Sequence, residues 1–257
     1  MIEDKNFFAD GRSYDRAMGR LSCIAGERFL EWLSMPARLR WLDVGCGSGS
    51  FTELVLQRGA PSAISAIDPS EDQIAFAKSK SSAQQIDYCK GDAMSLPYDH
   101  REFDVAVMAL VIQYIPDPGK AMSEMIRVVR KGGTVAAYVW PGRAEGHPYW
   151  PLTDAIRSIG AVDASRPGPR MRTTEALVDL FAASGLEGIE SRMIDIPLEY
   201  DGFDDFWLSL TPENYRHLGP SDVDRLKAVL REGLPADTNG RISYGARAIA
   251  IRGRVSA

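Results

Sequence analysis

Arg40 to Phe51 reads RWLDVGCGSGSF, and the fold follows from this stretch. Trp41, Leu42 and Val44 make an apolar run with the length and composition of a buried strand. Gly45, Gly47 and Gly49 then alternate, and without β-carbons the backbone there can turn sharply and approach a ligand. Ser48 and Ser50 are placed to cap a helix from about Phe51 to Arg58, whose free N–H groups would face whatever occupies the turn. Strand, glycine turn and helix together have the geometry of a nucleotide site.

The dinucleotide fingerprint requires G-x-G-x-x-G, and Ser50 stands where its third glycine belongs. Asp43, just ahead of the glycines, would repel a pyrophosphate and can hold an ammonium group. DVGCGSG, Asp43 to Gly49, resembles the first motif of the class I S-adenosylmethionine (SAM) dependent methyltransferases, in which the methionine part of the cofactor lies over this turn. YDRAMGR, Tyr14 to Arg20, is similar to a segment preceding that motif in the ubiquinone-biosynthesis type. The resemblance implies an α/β fold, a Rossmann-like, doubly wound sheet of seven mostly parallel strands, to which the residue pattern further along the chain adds an antiparallel edge strand and a helical cap insert. It also implies SAM as cofactor, S-adenosylhomocysteine (SAH) as product and a small-molecule methyl acceptor. Tyr14 would cover the sulfonium region and Arg20 would reach the methionine carboxylate; a solvated lead-in is the plainer reading of that segment.

Composition is consistent with such chemistry. The chain has 257 residues, enough for one large α/β domain, with 45% hydrophobic and 25% charged residues. A net charge of -5 would oppose nucleic acid, so a small-molecule partner is expected. Cys23, Cys46 and Cys89 are odd in number and widely spaced, which suggests neither a disulfide framework nor a metal site. The acidic N-terminal stretch does not read as a signal peptide and no apolar run is long enough to span a membrane, so a cytoplasmic location is expected.

Along the chain, Leu21, Ile24, Ala25, Phe29, Leu30 and Leu33 predict a helix from about Gly19 to Ser34, and residues 1–39 are assigned to lid helices. SAISAID ends a second strand at Asp68, where one carboxylate can accept from both hydroxyls of a ribose. Pro69 would lie beside the adenine, Ser70 caps the next helix, and Gln73 in its first turn joins the cofactor residues. Gly91 and Asp92 follow the third strand, and the resemblance implies that Asp92 with the Ala93 amide reads the adenine edge. EFDVAVMALV is a central strand, with Ala109 and Leu110 at the methionine end of the pocket and Gln113 and Tyr114 where donor and acceptor meet. Many relatives carry a histidine near this position and this chain does not, which puts histidine-assisted deprotonation there in doubt.

Beyond Trp140 the motifs end. Helices are expected over residues 151–161 and 173–184, and SRPGPRMR from Ser165 reads as a basic connector whose arginines are either solvated or an anion site. Late strands are expected over about 188–198 and 244–252. The residues between them are too many for a hairpin loop, so 199–243, with 141–184, are read as substrate-cap segments of a single domain. Gln113, Trp140, His147 and Trp207 are candidate acceptor contacts, with cap core as the other reading of Trp207. No catalytic base and no metal ligand is assigned, and the oligomeric state, monomer or dimer, is left open. The rival readings are a non-catalytic SAM-binding module and an NAD-dependent oxidoreductase.

Overall fold

In the computed structural model, residues 11–142, 146–161, 171–210 and 214–256 are described, the side chains of residues 11–20 and of Ser81 excepted. The seven strands form one sheet in the order β3-β2-β1-β4-β5-β7-β6. β1 (Arg40–Val44), β2 (Ala63–Asp68), β3 (Asp87–Lys90), β4 (Phe103–Ala109) and β5 (Val129–Val139) run parallel. β7 (Ile242–Arg254) runs antiparallel to both its neighbours, β5 and β6 (Glu187–Tyr200). The antiparallel strand thus lies one place in from the edge, and β6 takes the edge itself.

Alternation along the strands sends side chains to two cores. Trp41, Val105, Val107, Ala136 and Tyr138 face one side, where Phe29, Leu33, Phe51, Val55 and Ile74 cover them. These come from α1 (Gly11–Leu33), α2 (Ser50–Arg58) and α3 (Glu71–Lys78). Leu42, Val44, Ala106, Met108 and Val135 face the other side, under Met122, Met125, Leu177 and Phe181 of α4 (Pro118–Val128) and α6 (Thr174–Ala183). Burial on both faces explains why these strands read as near-continuous apolar runs.

The first helix starts at Gly11, well before the expected Gly19, so YDRAMGR lies in helix instead of leading into it. Its Gly26 permits close packing on α2, since a Cβ there would come within 2.8 Å of Leu54 Cδ1. Gly132 and Gly133 sit at a distortion inside β5: Phe103 pairs with Val129, but Val105 pairs with Thr134. Gly132 at φ 70 provides the left-handed conformation that this requires.

β6 and β7 extend past the rest of the sheet, with one face exposed and one buried. On the buried face lie α5 (Trp150–Ser158), α7 (Phe203–Leu208) and α8 (Pro220–Gly233). Their core is aromatic: Tyr200 meets Phe206 edge-on at 5.3 Å, and Trp150 meets Tyr244 edge-on at 5.8 Å. Among the described residues, no helix is long and apolar enough to cross a membrane.

Candidate active site

β1, β2 and β3 end in or next to an acid, and parallel pairing brings Asp43, Asp68 and Asp92 to one edge of the sheet. A cavity of about 280 Å³ opens there, lined by Gly45, Gly47, Asp68, Pro69, Ser70, Gln73, Gly91, Asp92, Ala93, Ala109, Leu110 and Tyr114. Ile67, Val111, Ile115 and Pro116, not singled out in the sequence, complete it. A smaller cavity of about 50 Å³ adjoins the glycine turn and includes Asp43, Cys46, Ser50, Phe51 and Tyr138. Most of the expected cofactor residues are thereby brought together.

Asp68 organises the turn. Its Oδ2 accepts from the Gly47 amide at 2.9 Å and its Oδ1 from the Ser70 amide at 2.8 Å. Each oxygen keeps a further lone pair for a ligand hydroxyl. Burial raises the Asp68 pKa, and the two amide hydrogen bonds oppose the rise. Ser70 caps α3 as expected, accepting from Gln73 N, and Gln73 itself is buried. Asp92 Oδ1 accepts from the Met94 amide at 2.8 Å, which closes a tight turn and leaves Ala93 at the cavity wall.

The three glycines divide their work. A Cβ on Gly45, at φ 78, would lie 2.5 Å from Val111 Cγ2, so this residue lets the turn pack against the β4 exit. A Cβ on Gly47 would meet nothing within 4 Å, which marks the side open to a ligand. Gly49, at φ 82, lines neither cavity; a Cβ there would lie 2.4 Å from Tyr88 Oη on β3. It is also the N-cap of α2, without any side-chain cap bond, so the expected serine caps are corrected. Ser48 and Ser50 instead place their hydroxyls 3.0 Å from each other.

Asp43 is buried and lines the smaller cavity. Its Oδ2 accepts from Thr52 Oγ1 at 2.6 Å, while Oδ1 is buried without a hydrogen-bond partner. Desolvation raises its pKa to about 7; the Thr52 hydrogen bond opposes this and the nearby Asp68 charge adds to it. The same burial, with Asp43 and Asp68 close by, pushes the Cys46 thiol well above its usual value, so Cys46 serves as a neutral wall of the smaller cavity.

At the exit of β4, Leu110 has φ 60, a strained conformation for a non-glycine residue, and sequence pattern gave no sign of it. Leu110 N donates to Tyr138 O at 2.9 Å, and Gln113 Nε2 donates to Leu110 O at 2.8 Å. Gln113 is therefore a brace behind the cavity wall and not one of its lining residues. Tyr114, half exposed, does line the cavity.

The remaining expected contacts fall elsewhere. Trp140 is buried at the end of β5, outside the lining of both cavities, with its Nε1 donor unpartnered. Trp207 stacks on Phe203 at 6.1 Å and packs on Tyr215 at 4.8 Å, under the Lys227 ammonium, so it is part of the helical insert's own packing. His147 Nδ1 accepts from the Tyr149 amide at 3.1 Å, which places the ring proton on Nε2. Burial and the positive Arg172 lower the His147 pKa to about 3, so the ring is neutral and is no general base near neutral pH. The side chains of Tyr14 and Arg20 lie outside the described residues. Among the described residues, no group of three acids, histidines or cysteines could hold a metal.

A mostly parallel seven-stranded sheet with one internal antiparallel strand, and a cleft at the ends of β1 to β4, defines the class I methyltransferase fold. Residues 42–137 match the Methyltransferase domain family. It is 30% identical over 142 residues to malonyl-[acyl-carrier protein] O-methyltransferase of Pectobacterium atrosepticum, covering 53% of this chain and 54% of that one. It is 31% identical over 111 residues to the ubiquinone/menaquinone biosynthesis C-methyltransferase of Roseobacter denitrificans, covering 42% and 44%. The chain thus spans about half the length of these curated relatives. A phosphoethanolamine N-methyltransferase 2 of Haemonchus contortus, solved with S-adenosyl-L-methionine, superposes with a TM-score of 0.59 at 16% identity, over 99% of this chain and 59% of that one.

Proposed function

We propose that this chain transfers a methyl group from SAM to a small-molecule acceptor at the carboxyl edge of β1 to β4. The observation that carries the reading is the pair of strand-end acids, Asp68 and Asp92, at one cavity, with Asp68 gripping the glycine turn that faces it. The residues fit the cofactor. The buried, unpartnered Asp43 Oδ1 favours a cation nearby and disfavours a pyrophosphate, which argues against NAD. Gly47 leaves room for close backbone approach.

In this reading Asp68 accepts from the ribose hydroxyls, Pro69 and Gln73 flank the sugar and base, and Gly91, Asp92 and Ala93 meet the adenine. Gly45, Gly47, Ala109 and Leu110 enclose the methionine end, with Tyr114 at its mouth. Tyr14 and Arg20 of α1 close over it as a lid, and segments 141–184 and 199–243 cap the acceptor. The cofactor brings its own activation, since a sulfonium methyl is a good electrophile. What the chain contributes is alignment of the acceptor and exclusion of water, which the buried walls and the aromatic insert can supply. The neutral His147 and the bracing Gln113 give no support for a protein base in the transfer.

Thermal unfolding with and without ligands tests the reading. SAM and SAH are expected to raise the melting temperature, and NAD to leave it unchanged. Stabilisation by NAD alone would overturn the proposal, and stabilisation by SAM without methylation of any acceptor tried would favour a binding module.

A further inference from the structure

We propose that Arg172, with the imidazole N–H of His147, forms an anion-binding subsite beside the cleft, so that the methyl acceptor is a small organic molecule bearing a carboxylate. This rests on the reading of the cleft as a methyl-transfer site and adds the acceptor's chemical class.

The backbone places Arg172 at the right edge. Its carbonyl accepts from Gly142 N at 3.2 Å, just past the end of β5. Met171, held at φ 58, packs into the core cluster that includes Val111 and Ile115, two residues that line the cavity. The guanidinium is near enough to Tyr114, at the cavity mouth, and to His147 to act electrostatically on or with both.

Arg172 Nε is a buried donor without an acceptor, and among the described residues no carboxylate forms an ion pair with this side chain. Arginines elsewhere have such partners: Arg127 pairs with Glu124 at 2.7 Å and Arg252 with Glu190 at 2.8 Å. An arginine stays charged even when burial lowers its pKa, and a buried charge without a counter-ion is costly. At Arg172 it is the Nε that carries that cost, the residue as a whole being partly buried. His147 adds a second donor, since Nδ1 is taken by the Tyr149 amide and the proton lies on Nε2. A planar guanidinium edge with a neighbouring N–H suits a carboxylate, which accepts at both oxygens.

The test is calorimetry on SAH-saturated protein with matched acid and amide probes: benzoate against benzamide, and octanoate against octanamide. Wild type and Arg172→Met are compared, with the SAH affinity and melting temperature of each measured alongside. At least one acid is expected to bind wild type tenfold or more tighter than its amide, and Arg172→Met is expected to lose about tenfold or more of that affinity. SAH affinity is expected to be unchanged, and the variant to melt no lower than wild type because a buried unpartnered donor is removed. The proposal is overturned if no acid binds, if acid and amide bind alike, or if Arg172→Met retains the acid. It is also overturned if the variant loses SAH affinity, which would assign the arginine to the cofactor, or melts several degrees lower, which would make it structural. If wild type does not bind SAH at all, the cofactor reading itself fails, and that result is separate from any of these.

Discussion

Replacing Asp43 by asparagine should destabilise the ligand-free protein at low pH and stabilise it at high pH. The carboxyl has a pKa of about 7 in the folded chain against an ordinary value of 3.8, chiefly because it is desolvated. Below pH 3.8 it is protonated whether folded or unfolded and contributes nothing to the pH dependence. Between the two values the folded chain binds the proton and the unfolded chain does not, so stability falls as pH rises. Above pH 7 the full cost is present; roughly three pH units at about 1.4 kcal/mol each amount to about 4 kcal/mol. Asparagine can still accept from Thr52 Oγ1 but leaves a buried amide N–H unsatisfied, a penalty of about 1 to 3 kcal/mol at every pH. The comparison that isolates the charge is therefore the change with pH. Between pH 4.5 and pH 8, the stability of Asp43→Asn relative to wild type should improve by about 3 kcal/mol, read from urea unfolding. A relative stability that stays constant over that range, or worsens toward pH 8, would refute the idea that Asp43 is a desolvated carboxyl awaiting a cation.

Further expectations concern the turn and the acceptor side. Gly45→Ala should cost about 2 to 4 kcal/mol, from the left-handed backbone and the 2.5 Å approach to Val111 Cγ2, and adding Val111→Ala should recover part of it in urea unfolding. An alanine variant as stable as wild type would contradict the packing described for this glycine. His147 should show no imidazole titration by NMR between pH 5 and 8, because burial and Arg172 hold its pKa near 3. An inflection near 6.5 would reopen it as a base.

The centre of the fold was legible because its signals are local. An apolar run, alternating glycines and strand-end acids lie within short windows, and the parallel sheet needs only their order to bring Asp68 and Asp92 together. Long-range contacts were less legible. Gly49 reads like its two companions, but its role depends on Tyr88 from another strand. Asp43 reads as a ligand group, but nothing in its own stretch shows that Thr52 of α2 claims one of its two oxygens. Leu110 has no residue-type signature for φ 60, since its conformation is imposed by hydrogen bonds to Tyr138 and Gln113. Arg172 lies in a segment whose composition is that of a solvated connector, and only its buried Nε distinguishes it. Trp207 has the composition of a binding residue and the neighbours of a core one.

The central claim is that Asp68 and the glycine turn hold SAM. Calorimetric titration of wild type and Asp68→Ala with SAM, SAH and NAD addresses it directly. The account expects micromolar binding of SAM and SAH to wild type, no NAD binding, and a loss of about 1 to 3 kcal/mol in Asp68→Ala. Tight NAD binding without SAM binding, or an alanine variant with undiminished SAM affinity, would contradict it.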